Sequence, residues 1–239
     1  MSTPARPWTV TPHGPLEQQD VDLWTLSSAV PTIPNLSRTM HVVKRRDGSL
    51  LFHNAVPMDD ATRRQLEGLG RFGLLVLPTD SHALDGPAYA ARIQVPAYAP
   101  GAARAALEPL QPIAGDAEAL PADDAVRFIP LGGVKNGEGV LEVKSLSGKT
   151  HLLFCDAVMN TGKIPGVMGF FIQLFMGMGE GPRCIRFFRR RVGTSMAALA
   201  DSFDALAKTP NLASLQVSHG TPVTADPAGV LRSIAAGLR

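Results

Sequence analysis

Imidazole and carboxylate side chains collect at three places in the chain, each directly after a run of apolar residues. Asp80, Ser81, His82 and Asp85 follow Phe72 to Leu77; Asp156 follows His151 to Cys155; His219 follows Ala213 to Val217. Neutral nitrogen and anionic oxygen are the donors that replace the water shell of a borderline or hard divalent cation. Asp156 is the most pointed of the set, because a carboxylate leaving a core costs free energy unless it is paired. His82, Asp80 and Asp85 also suit ordinary loop and cap roles. The pattern nonetheless points to one cation centre built from distant segments. Its candidate ligands are His82, Asp156 and His219, with Asp80 and Asp85 beside His82 in the same loop.

Such a centre needs strands that end together. Leu23 to Leu26, Met40 to Val43 and Leu50 to Phe52 read as strands, the last two joined by Asp47-Gly48, a strong hairpin signal. Asp59-Asp60 offers caps to a helix over Ala61 to Leu69, and Gly70 stops it. Phe72 to Leu77, bounded by Pro78, has the profile of a strand buried on both faces. A helix near Pro87 to Arg92 and a strand over Val95 to Tyr98 follow, then an Ala- and Pro-rich surface crossing to Asp124 with a helix around Ala102 to Leu107. Val126 to Ile129, Gly139 to Val143 and His151 to Cys155 supply a second sheet, turned at Ser147-Gly148. Helices over Ser195 to Leu206 and Pro227 to Leu238 flank a strand at Ala213 to Val217. The candidate ligands fall just past strand ends, where open α/β sheets hold what they bind.

In order and spacing, these landmarks resemble the metallo-β-lactamase superfamily. They are Pro34-Asn35-Leu36 with Met40 to Val43, the Asp47-Gly48 hairpin, Pro78-Thr79-Asp80-Ser81-His82, Val95 to Pro100, Asp156, and Ser218-His219-Gly220-Thr221-Pro222. The resemblance runs from about Leu23 to Gly237 and implies an α/β (α+β four-layer) fold, the metallo-β-lactamase-like αββα sandwich. It also implies, if the protein is an enzyme, a metal-dependent hydrolase with a reduced site, in which His82, Asp156 and His219 are ligands and Asp80 or Asp85 is ligand or base. Where the family's first metal loop reads T-H-x-H-x-D-H, this chain has Thr79-Asp80-Ser81-His82-Ala83-Leu84-Asp85, and Val134 stands where another imidazole is expected. Valine and leucine supply no ligand, so the usual pair of metals is not expected. The resemblance leaves either no cation or one weakly held divalent cation, zinc, manganese or iron, among Asp80, His82, Asp85, Asp156 and His219.

Composition narrows the alternatives. The chain has 239 residues, 45% apolar and 18% charged, with 23 basic against 21 acidic residues, so no global field recommends nucleic acid as a partner. Cys155 and Cys184 are too few for a disulfide scaffold, and a reduced, cytoplasmic setting is expected. Residues 1–20 read as an N-terminal arm ahead of one domain over 21–239; the arm lacks the apolar run of a secretory signal. Ile164 to Met178, which includes Met168, is apolar but broken by glycine and proline and too short to span a bilayer. Followed by Arg186 to Arg191, it is expected to act as a pocket lid or a homodimer contact, with a membrane-peripheral surface over 164–191 as the rival. A metal-free module binding a small molecule or a partner in the same pocket is the competing function.

Overall fold

The computed structural model describes residues 7–30 and 36–239. Pro4, most of the Pro31 to Ser37 turn with Pro34 and Asn35, and the side chain of Met168 lie outside the described residues. The first sheet holds β1 (Glu17–Asp20), β2 (Leu23–Ala29), β3 (Ser37–Lys44), β4 (Leu50–His53), β5 (Phe72–Val76), β6 (Ala97–Ala99) and β7 (Gly115–Asp116), in that spatial order. Hairpins make it antiparallel through β4; α1 (Asp60–Leu69) and α2 (Gly86–Arg92) then carry the chain back across the face, so β4, β5 and β6 run parallel. The second sheet runs β11 (Leu212–Val217), β10 (Thr150–Phe154), β9 (Gly139–Lys144), β8 (Val126–Pro130). Between the parallel pair β10 and β11 lie α4 (Gly166–Met176), α5 (Arg186–Val192) and α6 (Met196–Leu206), and α7 (Pro227–Ala236) follows β11.

Side-chain alternation along the strands builds three apolar layers. Leu66 of α1, Tyr89 of α2 and Leu107 of the short α3 (Arg104–Leu107) cover one face of the first sheet, against Met40, Val42 and Phe52. Leu199, Phe203 and Leu206 of α6 cover the outer face of the second sheet against Leu152, Phe154 and Leu215. Between the sheets, Val43, Leu51 and Val76 meet Phe128, Leu141 and Leu153. Each such side chain contributes about 1.5–3 kcal/mol by leaving water. This is the αββα sandwich, with the first sheet drawn from residues before Ile113 apart from the two-residue β7.

The elements match the sequence reading in most places, and the exceptions have physical reasons. Edge strands β1 and β7 were not expected: Glu17-Gln18-Gln19-Asp20 is polar throughout, and only pairing to β2 makes it a strand. Helices α4 and α5 were not expected: α4 is apolar on both faces and interrupted by Gly169, and α5 is a short run of arginine and phenylalanine, so neither shows the apolar-against-polar contrast that marks a surface helix. Gly70 does end α1, but with extended backbone; glycine is needed because a Cβ there would meet the Gly48 carbonyl oxygen at 2.3 Å.

Part of the layer between the sheets is polar. His151 Nδ1 lies 2.8 Å from Ser214 Oγ and its Nε2 lies 2.8 Å from Asp20 Oδ2, tying β1 to the second sheet. His41 on β3 faces His53 on β4, Nδ1 to Nδ1 at 3.4 Å, and both rings are wholly buried.

Candidate metal centre

Three strand ends from both sheets meet at one end of the sandwich. His82 sits in the turn after β5, where its N–H donates to Thr79 Oγ1 at 3.2 Å; Asp156 follows β10 and His219 follows β11. The backbone around each is held from outside. Both N–H groups of Asp156 and Ala157 donate to Glu138 Oε1, at 2.7 and 2.6 Å. After His219, Gly220 takes φ +99, and a Cβ there would meet the Asn160 carbonyl oxygen at 1.9 Å, so only glycine lets this turn close.

Hydrogen bonds on the far side of each imidazole decide what its near side presents. Asn54 donates through Nδ2 to the Thr39 carbonyl at 2.8 Å, so its Oδ1 faces His82 Nδ1 at 2.9 Å and accepts that N–H. The Ser37 carbonyl likewise accepts from His219 Nδ1 at 2.7 Å. With both Nδ1 atoms protonated, both neutral rings turn an Nε2 lone pair inward. Asp156 Oδ1 lies 3.1 Å from His82 Nε2 and 3.4 Å from His219 Nε2, and the two Nε2 atoms are 3.3 Å apart. Three acceptors therefore face one point, an arrangement that repels itself unless a proton or a cation stands between them.

The electrostatics agree. Burial opposes the charged form of His82, but the Asp156 charge and hydrogen bond outweigh it and raise its pKa. Burial also opposes the Asp156 carboxylate, yet His82 and His219 hold it well below the usual range. Burial and the Asp156 charge push Glu138 well above it, and its Oε2 has no hydrogen-bond partner among the described residues.

The donor set fits a divalent cation. Metal–donor bonds of about 2.0–2.2 Å in a tetrahedron give donor–donor edges of roughly 3.3–3.6 Å. The observed edges of 3.1, 3.3 and 3.4 Å are close to these. The three donors line a pocket of about 360 Å³, whose other walls include Arg38, Leu84, Asn136, Met159, Phe188 and Arg191. Side-chain exposures of 13% for His82 and 20% for Asp156 show that the centre can be reached from it.

Of the residues singled out in the sequence, His82, Asp156 and His219 are brought together, and they are the one such group among the described residues. Asp80 and Asp85 are not. Asp85 is buried against the Arg38 guanidinium, so its carboxylate is committed; although it stands at the N-cap of α2, it caps nothing. Asp80 is exposed, and among the described residues its carboxylate accepts a hydrogen bond from Ser81 Oγ alone. Leu84 lines the pocket, while Val134 pairs with Gly193 and packs in the helical layer, leaving Asn136 at the pocket wall. Sequence reasoning missed Asn54, Glu138 and Arg38. Asn54 alone left a signal, standing just past a strand end like the ligands. His151, with Ser214 and Asp20, has the composition of a nucleophilic triad, but Ser214 is 2% exposed and the trio serves the fold. Cys155 is a buried free thiol, pushed up by burial, consistent with a packing role.

No family model matches the chain, and no curated protein matches it. Solved structures do. The crystal structure of DIM-1 metallo-β-lactamase aligns with a TM-score of 0.63 at 12% identity, over 95% of this chain and 100% of that one. VMB-1 aligns at 0.63 and 11% identity, over 96% and 99%. The metallo-β-lactamase from Pontibacter korlensis aligns at 0.61 and 11% identity, over 92% and 98%. The chain has the metallo-β-lactamase fold.

Proposed function

We propose that this protein is hydrolase-like and works through a single divalent cation held by His82, Asp156 and His219. The observation that carries the reading is the convergence of one carboxylate with two imidazoles whose outer hydrogen bonds turn their Nε2 lone pairs toward it. Two imidazoles and one carboxylate suit zinc, and also iron or manganese. Such an ion, when bound, polarises a carbonyl or phosphoryl oxygen and makes water a better nucleophile at neutral pH. The chain's own residues do the rest. Asn54 and the Ser37 carbonyl fix the tautomers, and Glu138 sets the direction of the Asp156 loop. Arg38, held by Asp85, places a guanidinium on the pocket wall, whose N–H groups suit an oxygen of the substrate. In this reading Asp85 positions Arg38, and Asp80 has no part in proton transfer.

Elemental analysis of protein purified without a metal-chelating step tests the proposal, followed by hydrolysis assays on ester, amide and phosphoester panels. Close to one divalent ion per chain is expected. Protein that retains none and gains no thermal stability from any divalent cation at millimolar concentration would overturn it, and so would two ions at full occupancy.

A further inference from the structure

Helix α4 is turned the wrong way for a soluble surface. Val167, Phe170, Phe171, Leu174 and Phe175 recur at i, i+3, i+4, i+7 and i+8, the spacing of a core-facing stripe, yet they are 77, 60, 47, 50 and 71% exposed. With Phe187 at the start of α5, they are six of the eleven exposed large hydrophobics among the described residues; the other five stand singly along the chain, at Val10, Val21, Leu84, Leu110 and Leu146. No charged residue occurs between Ile164 and Gly179. The opposite side of the helix is spoken for: Gln173 Nε2 donates to the Ile164 and Gly169 carbonyls, and Ile172 and Met176 pack on the helical layer.

Around this stripe the charge is of one sign. Residues 163–191 hold Lys163, Arg183, Arg186, Arg189, Arg190 and Arg191 against Glu180 alone, in a chain whose net charge is only +2. None of the six forms an ion pair among the described residues. Arg183, Arg186 and Arg189 line a cavity of about 450 Å³ beside the end of α4, with no carboxylate on its walls. On α5, the Arg191 guanidinium lies 5.8 Å from the centre of the exposed Phe187 ring.

We propose that α4 and α5 dock this protein on an anionic phospholipid bilayer, the α4 stripe entering the boundary between headgroups and acyl chains while the arginines meet lipid phosphates. An apolar face rimmed by unpaired cations matches that surface in both polarity and charge. A second copy of the chain fits worse, because a two-fold contact through the same stripe sets the arginine cluster against its own image. No helix among the described residues is long and apolar enough to cross a membrane, so the association is peripheral. Met176, Met178, Phe187 and Arg191 also wall the pocket over the candidate metal centre, so the docked face and the pocket mouth adjoin.

The test is flotation of the full chain with vesicles of phosphatidylcholine alone and of phosphatidylcholine mixed with phosphatidylglycerol. Binding is expected on the mixed vesicles and is expected to fall as salt rises. Arg190→Gln with Arg191→Gln should weaken it by about 30-fold, roughly fivefold for each charge. Phe175→Ser, at a position already open to solvent, should weaken it by at least about tenfold while leaving the melting temperature in place. Asp156→Ala should bind vesicles as the parent does, which separates failure here from failure of the metal reading. Absence of binding to the mixed vesicles overturns the proposal, as does equal binding to neutral vesicles. A concentration-dependent dimer that Phe175→Ser abolishes, with no vesicle binding, would assign the face to a second copy.

Discussion

Two histidine pairs in this molecule look alike by distance and differ in everything that matters for chemistry. His82 and His219 bring their Nε2 atoms to 3.3 Å at the strand ends; His41 and His53 bring their Nδ1 atoms to 3.4 Å in mid-sheet. The first pair has a carboxylate within reach, outer partners that fix both tautomers, and an open pocket. The second has no carboxylate and no exposure, and each Nε2 lacks a partner among the described residues. Proximity of imidazoles is therefore weak evidence for a site. A shared anion, locked tautomers and access from solvent are what separate a candidate ligand pair from a buried one.

The comparison breaks most directly at Asp156. Asp156→Ala should lower divalent-cation affinity by at least about 100-fold, because it removes the only anion of the set, a larger loss than outer-shell changes cause. His41→Gln should leave cation content unchanged, measured by elemental analysis on both variants. A His41 variant that loses the ion as readily would erase the distinction drawn here.

Acid separates the pairs next. Burial lowers His41 from 6.5 to about 3, and burial, with the His41 and His82 charges, lowers His53 well below its ordinary value. Below about pH 6.5 the unfolded chain takes up protons that these folded rings refuse, so stability falls steadily as pH drops toward 3. Between about pH 8 and about pH 5, His41 alone accounts for a loss of about 2 kcal/mol. His82, whose folded pKa is raised by Asp156 against the effect of burial, acts with the opposite sign in cation-free protein: its contribution is present in acid and fades as pH rises through that pKa. Urea titrations across this range should show a shallower acid loss in His41→Gln with His53→Gln than in the parent. An unchanged slope would mean that the mid-sheet pair is not the acid-sensitive element.

The smallest expected effect sharpens the role of the tautomer locks. Asn54→Ala leaves all three ligands in place but removes the acceptor for His82 Nδ1, and should weaken cation binding by about tenfold. Isothermal titration with zinc measures it. Unaltered affinity would mean that packing alone holds the ring.

Much of this was readable from residue order. Alternating apolar positions, the Asp47-Gly48 and Ser147-Gly148 turns and the Asp59 cap define local structure through contacts a few residues long, so most of the strands and α1, α6 and α7 follow from the text. The same locality explains the misses. β1 exists because β2 lies beside it, and α4 exposes an apolar stripe that periodicity alone would have pointed inward. Asp85, three residues from His82, reads in the sequence as a ligand or base; only the fold reveals Arg38, 47 residues away along the chain, lying against it.

What the sequence determined by itself is therefore the inventory: most of the segments that are strands, and which polar residues follow their ends. Those follow from side-chain chemistry and short-range periodicity. The tertiary structure decided which of five candidates converge, since Asp156 and His219 approach His82 only when β5, β10 and β11 end on the same side of the sandwich. It also decided the direction of every lone pair, because the Asn54 and Ser37 acceptors come from other strands of the first sheet. Coordination depends on angles and on distances of a few tenths of an ångström, and those are set by packing between segments far apart in the chain.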